Sequence, residues 1–99
     1  MKILVTNTFK RSMKKLHSSQ QLKLDEAIRQ IQNNPYIGGP KLGDLLGVHV
    51  YKFFIFNQLI LLAYLYNEQD NELTLLAFAP HENFYRDLKK QIKGREYIF

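Results

Sequence analysis

The sequence predicts one α+β domain in which helices pack on an antiparallel sheet. Three apolar runs within residues 48–79 are separated by polar breaks at Asn57-Gln58 and at Asn67 to Glu72. Such breaks between runs rich in aromatic and branched residues indicate hairpins, so the runs should form three consecutive antiparallel strands. Amphipathic segments before and after these strands supply the helices.

The middle run, Leu59 to Tyr66, is apolar on both alternating sets of positions. Because strand side chains point alternately to opposite faces, this strand should be covered on both faces and lie at the centre of the sheet. Met1 to Thr6 is predicted as a short first strand that joins the three-stranded meander as a neighbour. The predicted element order is therefore β-α-α-β-β-β-α.

Three helices are predicted from capping residues and apolar spacing. Thr8 is the candidate N-cap of the first helix, and Ser18 or Ser19 is that of the second. Asn33-Asn34-Pro35 should end the second helix, because the residue before proline disfavours helical backbone. The apolar stripes follow helical spacing: Phe9, Met13 and Leu16; Leu24, Ala27, Ile28 and Ile31; and, after the meander, Phe84, Leu88 and Ile92.

The segment from Pro35 to Gly47 reads as a connecting loop, since it holds four of the five glycines. Leu42, Leu45 and Leu46 within it are expected to plug the loop onto the core. The glycines lack the spacing of a nucleotide fingerprint, so a connecting loop is preferred over a nucleotide site. Residues 97–99, Tyr-Ile-Phe, are candidates for docking on the domain or on a partner.

Composition narrows the classes of function. At 99 residues the chain should be a single domain, 1–99, and the absence of cysteine excludes disulfides, thiolate metal sites and a cysteine nucleophile. The longest apolar run is far short of the roughly 20 residues that a membrane helix needs, and the N-terminal residues do not resemble a signal peptide. The net charge of +5 favours an anionic partner, nucleic acid or acidic protein, with ordinary solubility as the alternative.

A few polar side chains could carry chemistry. His81 and Tyr85 are four residues apart at the start of the last helix, so their side chains can point the same way. An imidazole can act as general acid or base near neutral pH, and a phenol can donate a hydrogen bond or stack on a base. Lys52 is a lone cation in an apolar strand. Lys10 and Lys14, with Arg11 and Lys15, lie opposite the apolar stripe of the first helix.

Each of these residues also has a purely structural explanation. His81 could be an ordinary surface residue, and Tyr85 could be a packing aromatic. Lys52 could mark a sheet edge that is protected from aggregation. The cations of the first helix could form a solvated face instead of binding phosphate or a partner. The three histidines show no metal-ligand spacing.

Taken together, the segments resemble the RelE/ParE superfamily of toxins from bacterial toxin–antitoxin pairs. The resemblance covers about residues 1 to 92. It rests on the first strand leading into TFKRSMKKL, the second helix ending in NNP, the loop GGPKLGDLLG, the meander, and above all LLAFAPHENFYRDLKK. It implies a RelE/ParE-like fold and a small, basic, cytoplasmic toxin that is paired with a cognate antitoxin.

The resemblance also implies an activity, which is metal-independent cleavage of mRNA on the ribosome, without a cofactor, to inhibit translation. In such a reaction the ribose 2′-hydroxyl attacks the adjacent phosphate, assisted by a general base, a general acid and cations. His81 matches the family's C-terminal histidine, Tyr85 is a candidate for base stacking or phosphate bonding, and Lys52 would stabilise charge. Lys41 and Arg86, together with Lys10 and Lys14, are candidates for RNA or phosphate contact.

A second function is consistent with the same resemblance. Ribosome-dependent nucleases of the superfamily usually carry an arginine in the meander, whereas Lys52 is the only cation between Val48 and Leu65. A lysine lacks the planar fork with which arginine grips phosphate. The alternative is a non-nucleolytic protein of the same fold, either a DNA gyrase poison or an inactive antitoxin-binding partner.

Overall fold

The computed structural model describes residues 1–94, so residues 97–99 lie outside the described part of the chain. No helix within residues 1–94 combines the length and the apolar character needed to cross a bilayer. The elements are β1 Lys2–Val5, α1 Asn7–Lys14, α2 Ser18–Asn33, β2 Gly39–Pro40, a 3-10 turn Gly43–Leu45, β3 His49–Ile55, β4 Gln58–Asn67, β5 Glu72–Pro80 and α3 Phe84–Lys93.

The five strands form one sheet in the order β1-β5-β4-β3-β2. The antiparallel meander β3-β4-β5 is confirmed, and β1 joins it as predicted. However, β1 pairs with β5 in parallel, so the sheet is mixed and not purely antiparallel. The helical pair α1–α2 and the meander separate these two strands in sequence, and a long connection of this kind permits parallel pairing.

The central strand β4 is covered on both faces, which confirms the prediction. Ile60, Leu62 and Tyr64 pack with α1 and α2 in one buried cluster, and this side is called the α1–α2 face. Leu61 and Ala63 pack with α3 in a second cluster, and this side is called the α3 face. Burial of both side-chain sets makes β4 the strand on which both layers of helices depend.

A β-bulge in β5 connects the two helical layers. Ala63 pairs with Ala77 and Tyr64 with Leu75, so Leu76 is the extra residue. Its carbonyl accepts hydrogen bonds from the Thr6 hydroxyl at 2.6 Å and the Gln91 side-chain amide at 2.9 Å. One backbone oxygen therefore joins the start of α1 to the last turn of α3.

The N-caps differ from the predicted ones. Thr6, not Thr8, caps α1, because Thr6 keeps extended backbone and its hydroxyl accepts from the Phe9 N–H at 3.1 Å. Thr8 already lies in the first turn, where its hydroxyl accepts from Arg11. His17, rather than Ser18 or Ser19, caps α2. The Gln20 side chain accepts the His17 N–H at 2.8 Å, which satisfies a donor that the helix leaves unpaired.

The predicted loop between α2 and β3 contains short regular elements. Gly39 and Pro40 pair with β3, and residues 43–45 form a 3-10 turn. Only Leu45 is buried, so the expectation that Leu42 and Leu46 also plug the core was wrong. A single tight turn points one of these side chains inward and leaves the flanking ones in solvent. The first polar break is also shifted by one residue, because the β3–β4 turn is Phe56-Asn57 and Gln58 begins β4.

Tyr64 fastens the start of this loop to the sheet. Its buried hydroxyl donates to the Pro35 carbonyl at 2.7 Å and accepts from the Gly38 N–H at 2.9 Å. A Cβ at Gly38 would lie 2.8 Å from the same oxygen, so glycine is required for this approach. Burial raises the pKa of the Tyr64 phenol, and the hydrogen bond from Gly38 offsets part of that rise.

We expect Thr6→Ala to lower the free energy of unfolding by about 1–3 kcal/mol, because it removes an N-cap and leaves the buried Leu76 carbonyl with one partner fewer. Urea denaturation of the two proteins measures the difference. Thr8→Ala is the matched control and should cost less than Thr6→Ala, because the hydrogen bond of Thr8 with Arg11 is exposed to solvent whereas those of Thr6 are buried. A larger loss in the Thr8 variant would contradict the assignment of the cap.

We expect Tyr64→Phe to cost about 1–2 kcal/mol at neutral pH, since two backbone groups of the loop lose their partner. The folded-state pKa of Tyr64 is raised above the ordinary value of 10, so the unfolded chain loses this proton first. The advantage of tyrosine is therefore complete below pH 10 and shrinks as the pH rises above it. Denaturation midpoints measured between pH 7 and alkaline pH, about 7 to 11, test this trend. A constant difference would contradict it.

Candidate nucleic-acid interface

The last helix is placed on the sheet by its apolar stripe. Phe84 and Leu88 are buried in the cluster on the α3 face, and Ile92 packs at its edge, as the spacing predicted. The helix starts after Asn83, whose φ of 62° is a left-handed conformation that asparagine tolerates better than most residues. This sharp turn lets the chain leave β5 and fold back over the same face.

Three of the predicted site residues come together at the start of α3. The rings of His81 and Tyr85 lie edge to face, with centroids 6.1 Å apart. The Lys41 ammonium nitrogen lies 5.3 Å from the centroid of the Tyr85 ring, within cation–π range. The rings of Phe84 and Tyr85 make a second edge-to-face contact, with centroids 5.2 Å apart. The imidazole is exposed, while the phenol is partly buried.

Lys52 lies on the same face of the sheet, on β3, which is separated from β5 by the central strand β4. Tyr51 and Phe53 pack toward α1–α2, so strand alternation places Lys52 on the α3 face, where it is exposed. Its Cα pairs with that of Leu61, which pairs with that of Ala79. With neighbouring strands about 4.8 Å apart, the Cα atoms of Lys52 and Ala79 are about 10 Å apart. His81 follows Ala79 by two residues.

The remaining predicted phosphate contacts are more dispersed. Arg86 is exposed on α3 next to Tyr85 and lies 3.5 Å from the Asp87 carboxylate in a solvent-exposed pair. Lys10 and Lys14 are exposed on α1, whose buried Phe9 belongs to the opposite face. Within residues 1–94 no hydrogen bond, ion pair or ring contact joins either lysine to His81 or Tyr85. Their proposed role in binding RNA stays a prediction.

Sequence reasoning missed a basic cleft beside this group. A cleft of about 540 Å³ runs between α3 and the 3-10 turn; it is lined by Asp44, Arg86, Lys89, Lys90, Ile92 and Lys93. The spacing of the four cations, at i, i+3, i+4 and i+7, was a signal for one basic helix face. The contribution of Asp44 could not be read from the sequence, because it comes from a loop more than 40 positions away.

The arrangement offers a general acid or base, an aromatic ring and two ammonium groups on one solvent-open surface. The partners of a reacting phosphate in metal-free RNA cleavage are of these types. The contact between Lys41 and Tyr85 also fixes which way the loop cation points.

Residues 3–89 match the family described as "ParE-like toxin of type II bacterial toxin-antitoxin system". No curated protein matches the chain closely enough in sequence to be counted as a relative. The family match spans β1 to α3 and therefore includes every predicted site residue.

Solved toxin structures share the fold. A mutant of the E. coli toxin RelE in the free state is similar with a TM-score of 0.72 at 13% identity, covering 95% of this chain and 95% of that one. The toxin of the intact E. coli RelBE toxin-antitoxin complex is similar with a TM-score of 0.67 at 15% identity, and the match covers 82% of this chain and 96% of that one. The YoeB/ParE toxin from Agrobacterium tumefaciens is similar with a TM-score of 0.66 at 18% identity, and the match covers 82% of this chain and 99% of that one.

The identities are low, so these structures support the fold alone, whereas the family match covers most of the chain. With both findings added to the observed architecture, the chain belongs to the ParE-like toxins of type II bacterial toxin–antitoxin systems, within the RelE/ParE superfamily.

Proposed function

We propose that the protein is a toxin that cleaves mRNA on the ribosome and so inhibits translation, without a metal or other cofactor. The observation that carries the proposal is the shared, solvent-open surface of His81, Tyr85, Lys41 and Lys52 on the α3 face. A nuclease of this kind needs acid–base and charge-stabilising groups within reach of one phosphate. A site sealed within the hydrophobic core could not admit an RNA chain.

In the proposed reaction a ribose 2′-hydroxyl attacks the neighbouring phosphorus, and the bond to the 5′-oxygen of the next nucleotide breaks. His81 transfers a proton to or from one of these oxygens, which is the role of a general acid or base. Lys52 and Lys41 stabilise the additional negative charge of the phosphorane. The Tyr85 ring, held by Lys41 and Phe84, stacks on the base beside the cleaved bond or donates a hydrogen bond to the phosphate.

The charge distribution supports an anionic substrate. Arg86 and the three lysines of the basic cleft continue the positive surface from Tyr85 along α3. A protein that binds phosphates through lysine and arginine loses affinity steeply as salt increases, because it releases condensed counterions. The same surface suits an acidic antitoxin, and we propose that a cognate antitoxin binds and neutralises this protein in the cytoplasm. RelE, a protein of the same fold, is found with an antitoxin in the RelBE complex.

We expect His81→Ala to reduce the rate of mRNA cleavage by about 10²- to 10⁴-fold, the usual contribution of a general acid or base. Cleavage is measured by mapping transcript ends on programmed ribosomes with purified toxin. Lys52→Ala should also slow cleavage, while the matched control Lys23→Ala, an exposed lysine on α2, should leave the rate within about twofold. Codon-phased cuts that persist unchanged in His81→Ala would overturn the assignment of the imidazole.

The second candidate function is poisoning of DNA gyrase, or an inactive role beside the antitoxin. It is favoured by the absence of arginine from the meander, where Lys52 is the only cation between Val48 and Leu65. Expression of the chain alone separates these functions. Growth arrest with intact transcripts and accumulated DNA breaks would indicate a gyrase poison, and no arrest would indicate an inactive partner.

A further inference from the structure

The tip of the β3–β4 hairpin exposes two phenylalanines that the core does not use. Phe54 is 61% exposed and Phe56 is 58% exposed, whereas the neighbouring Ile55 is buried. Ile55 packs in the cluster on the α1–α2 face, so strand alternation places Phe54 on the α3 face. Phe54 therefore lies two residues beyond Lys52 on the same side of the same strand.

The backbone at this tip is strained. Phe56 has a φ of 53°, and a bulky side chain in the left-handed region is a genuine outlier. Asparagine and glycine, the residues that normally occupy such a turn position, would adopt this backbone at lower cost. An aromatic side chain that is both strained and solvent-exposed contributes little to the stability of the domain.

The tip is also at an open edge of the sheet. Within residues 1–94, β2 pairs with β3 only at His49 and Val50, so β3 from Tyr51 to Ile55 has no further strand beside it. This strand edge is therefore open to solvent beside a groove that Lys23, Glu26 and Gln30 of α2 form with Phe54. The nearest cation along the strand on this face is Lys52.

We propose that Phe54 and Phe56 form a stacking platform for an unpaired base of single-stranded RNA, outside the cleavage site. This proposal rests on the proposed function and adds a subsite to it. Aromatic rings alternating with cations are the usual surface for single-stranded nucleic acid, because every base has a stacking face and every linkage a charge. On the α3 face, Phe54 and Lys52 lie on β3, and the end of β5 that leads into His81 and Tyr85 lies two strands away at the level of Phe54. Lys41 lies over the Tyr85 ring.

The occupant is inferred from charge and geometry together. The chain carries a net charge of +5, and Lys52 is the nearest cation along β3 on the same face as Phe54. Phe54 pairs with Leu59, and Pro80, the residue before His81, pairs with the adjacent Ile60, so the platform and the end of β5 are two strand spacings, about 10 Å, apart. A base on the platform would therefore come from the same RNA strand as the cleaved phosphate.

The test measures binding apart from cleavage. A fluorescent, fully 2′-O-methylated single-stranded hexanucleotide cannot react, and its anisotropy reports affinity at low salt. We expect Phe54→Ala to weaken binding about tenfold, the size of one lost base stack, and Phe54→Trp to restore it. Leu22→Ala is the matched control, because Leu22 is equally exposed, at 62%, but lies on α2 on the other side of the sheet; its affinity should be unchanged.

Abasic substitution then identifies the stacked base. For one position of the oligonucleotide, removal of the base should weaken binding to the unsubstituted protein by the same factor as Phe54→Ala. Phe54→Ala should lose nothing further with that oligonucleotide, because the two changes remove the same contact. The proposal would be overturned if removal of the base weakened binding equally at every position of the oligonucleotide and each loss added to that of Phe54→Ala. Unaltered binding by Phe54→Ala would overturn it as well.

Phe56→Gly provides an independent arm. It should raise the midpoint of thermal unfolding, since it relieves the left-handed phenylalanine, and should weaken RNA binding at the same time. If Phe56→Gly leaves RNA binding unchanged, Phe56 is not part of the platform and the proposal fails as stated.

The outcomes separate this proposal from the nuclease itself. Cleavage on ribosomes that is lost in His81→Ala but unaffected by Phe54→Ala would keep the proposed function and overturn the platform. No measurable binding of the oligonucleotide by the unsubstituted protein would also overturn it. Loss of affinity for the antitoxin alone, with RNA binding intact, would assign the tip to a protein partner and overturn the RNA proposal.

Discussion

The two-sided hydrogen bonding of the Leu76 carbonyl holds the architecture together. The bulge in β5 turns this oxygen out of the strand ladder, and Thr6, the N-cap of α1, and Gln91 of α3 both donate to it. Without the extra residue, the oxygen would be used within the sheet and α1 and α3 would share no common anchor. The placement of α3, and through it the position of Tyr85, therefore depends on an irregularity in the central part of the sheet.

The order and types of the main elements could be predicted because they follow from apolar periodicity. The three apolar runs gave β3, β4 and β5, and the stripe of Phe84, Leu88 and Ile92 gave α3. The predicted helix caps were wrong because similar residues compete locally for the same role. Thr6 and Thr8 can both cap a helix. Thr6 becomes the cap because its hydroxyl also donates to the Leu76 carbonyl, which is 70 residues away in sequence.

The candidate site was predicted in part for the same reason. His81 and Tyr85 are close in sequence, so helical spacing was enough to bring them together. The contact between Lys41 and Tyr85 joins residues 44 positions apart, and no local pattern encodes it. The parallel pairing of β1 and the exposure of Leu42 and Leu46 likewise depend on tertiary packing, which propensity and periodicity do not describe.

The separation between buried framework and exposed chemistry has a consequence for how such a scaffold diversifies. The side chains that hold the domain together, such as Tyr64, Thr6 and Leu88, are sequestered, whereas His81 and Lys52 project into solvent. Substitutions at the exposed positions therefore cost little folding free energy, so one fold can carry different surface chemistry. The buried framework can be kept unchanged while the residues that face solvent are replaced.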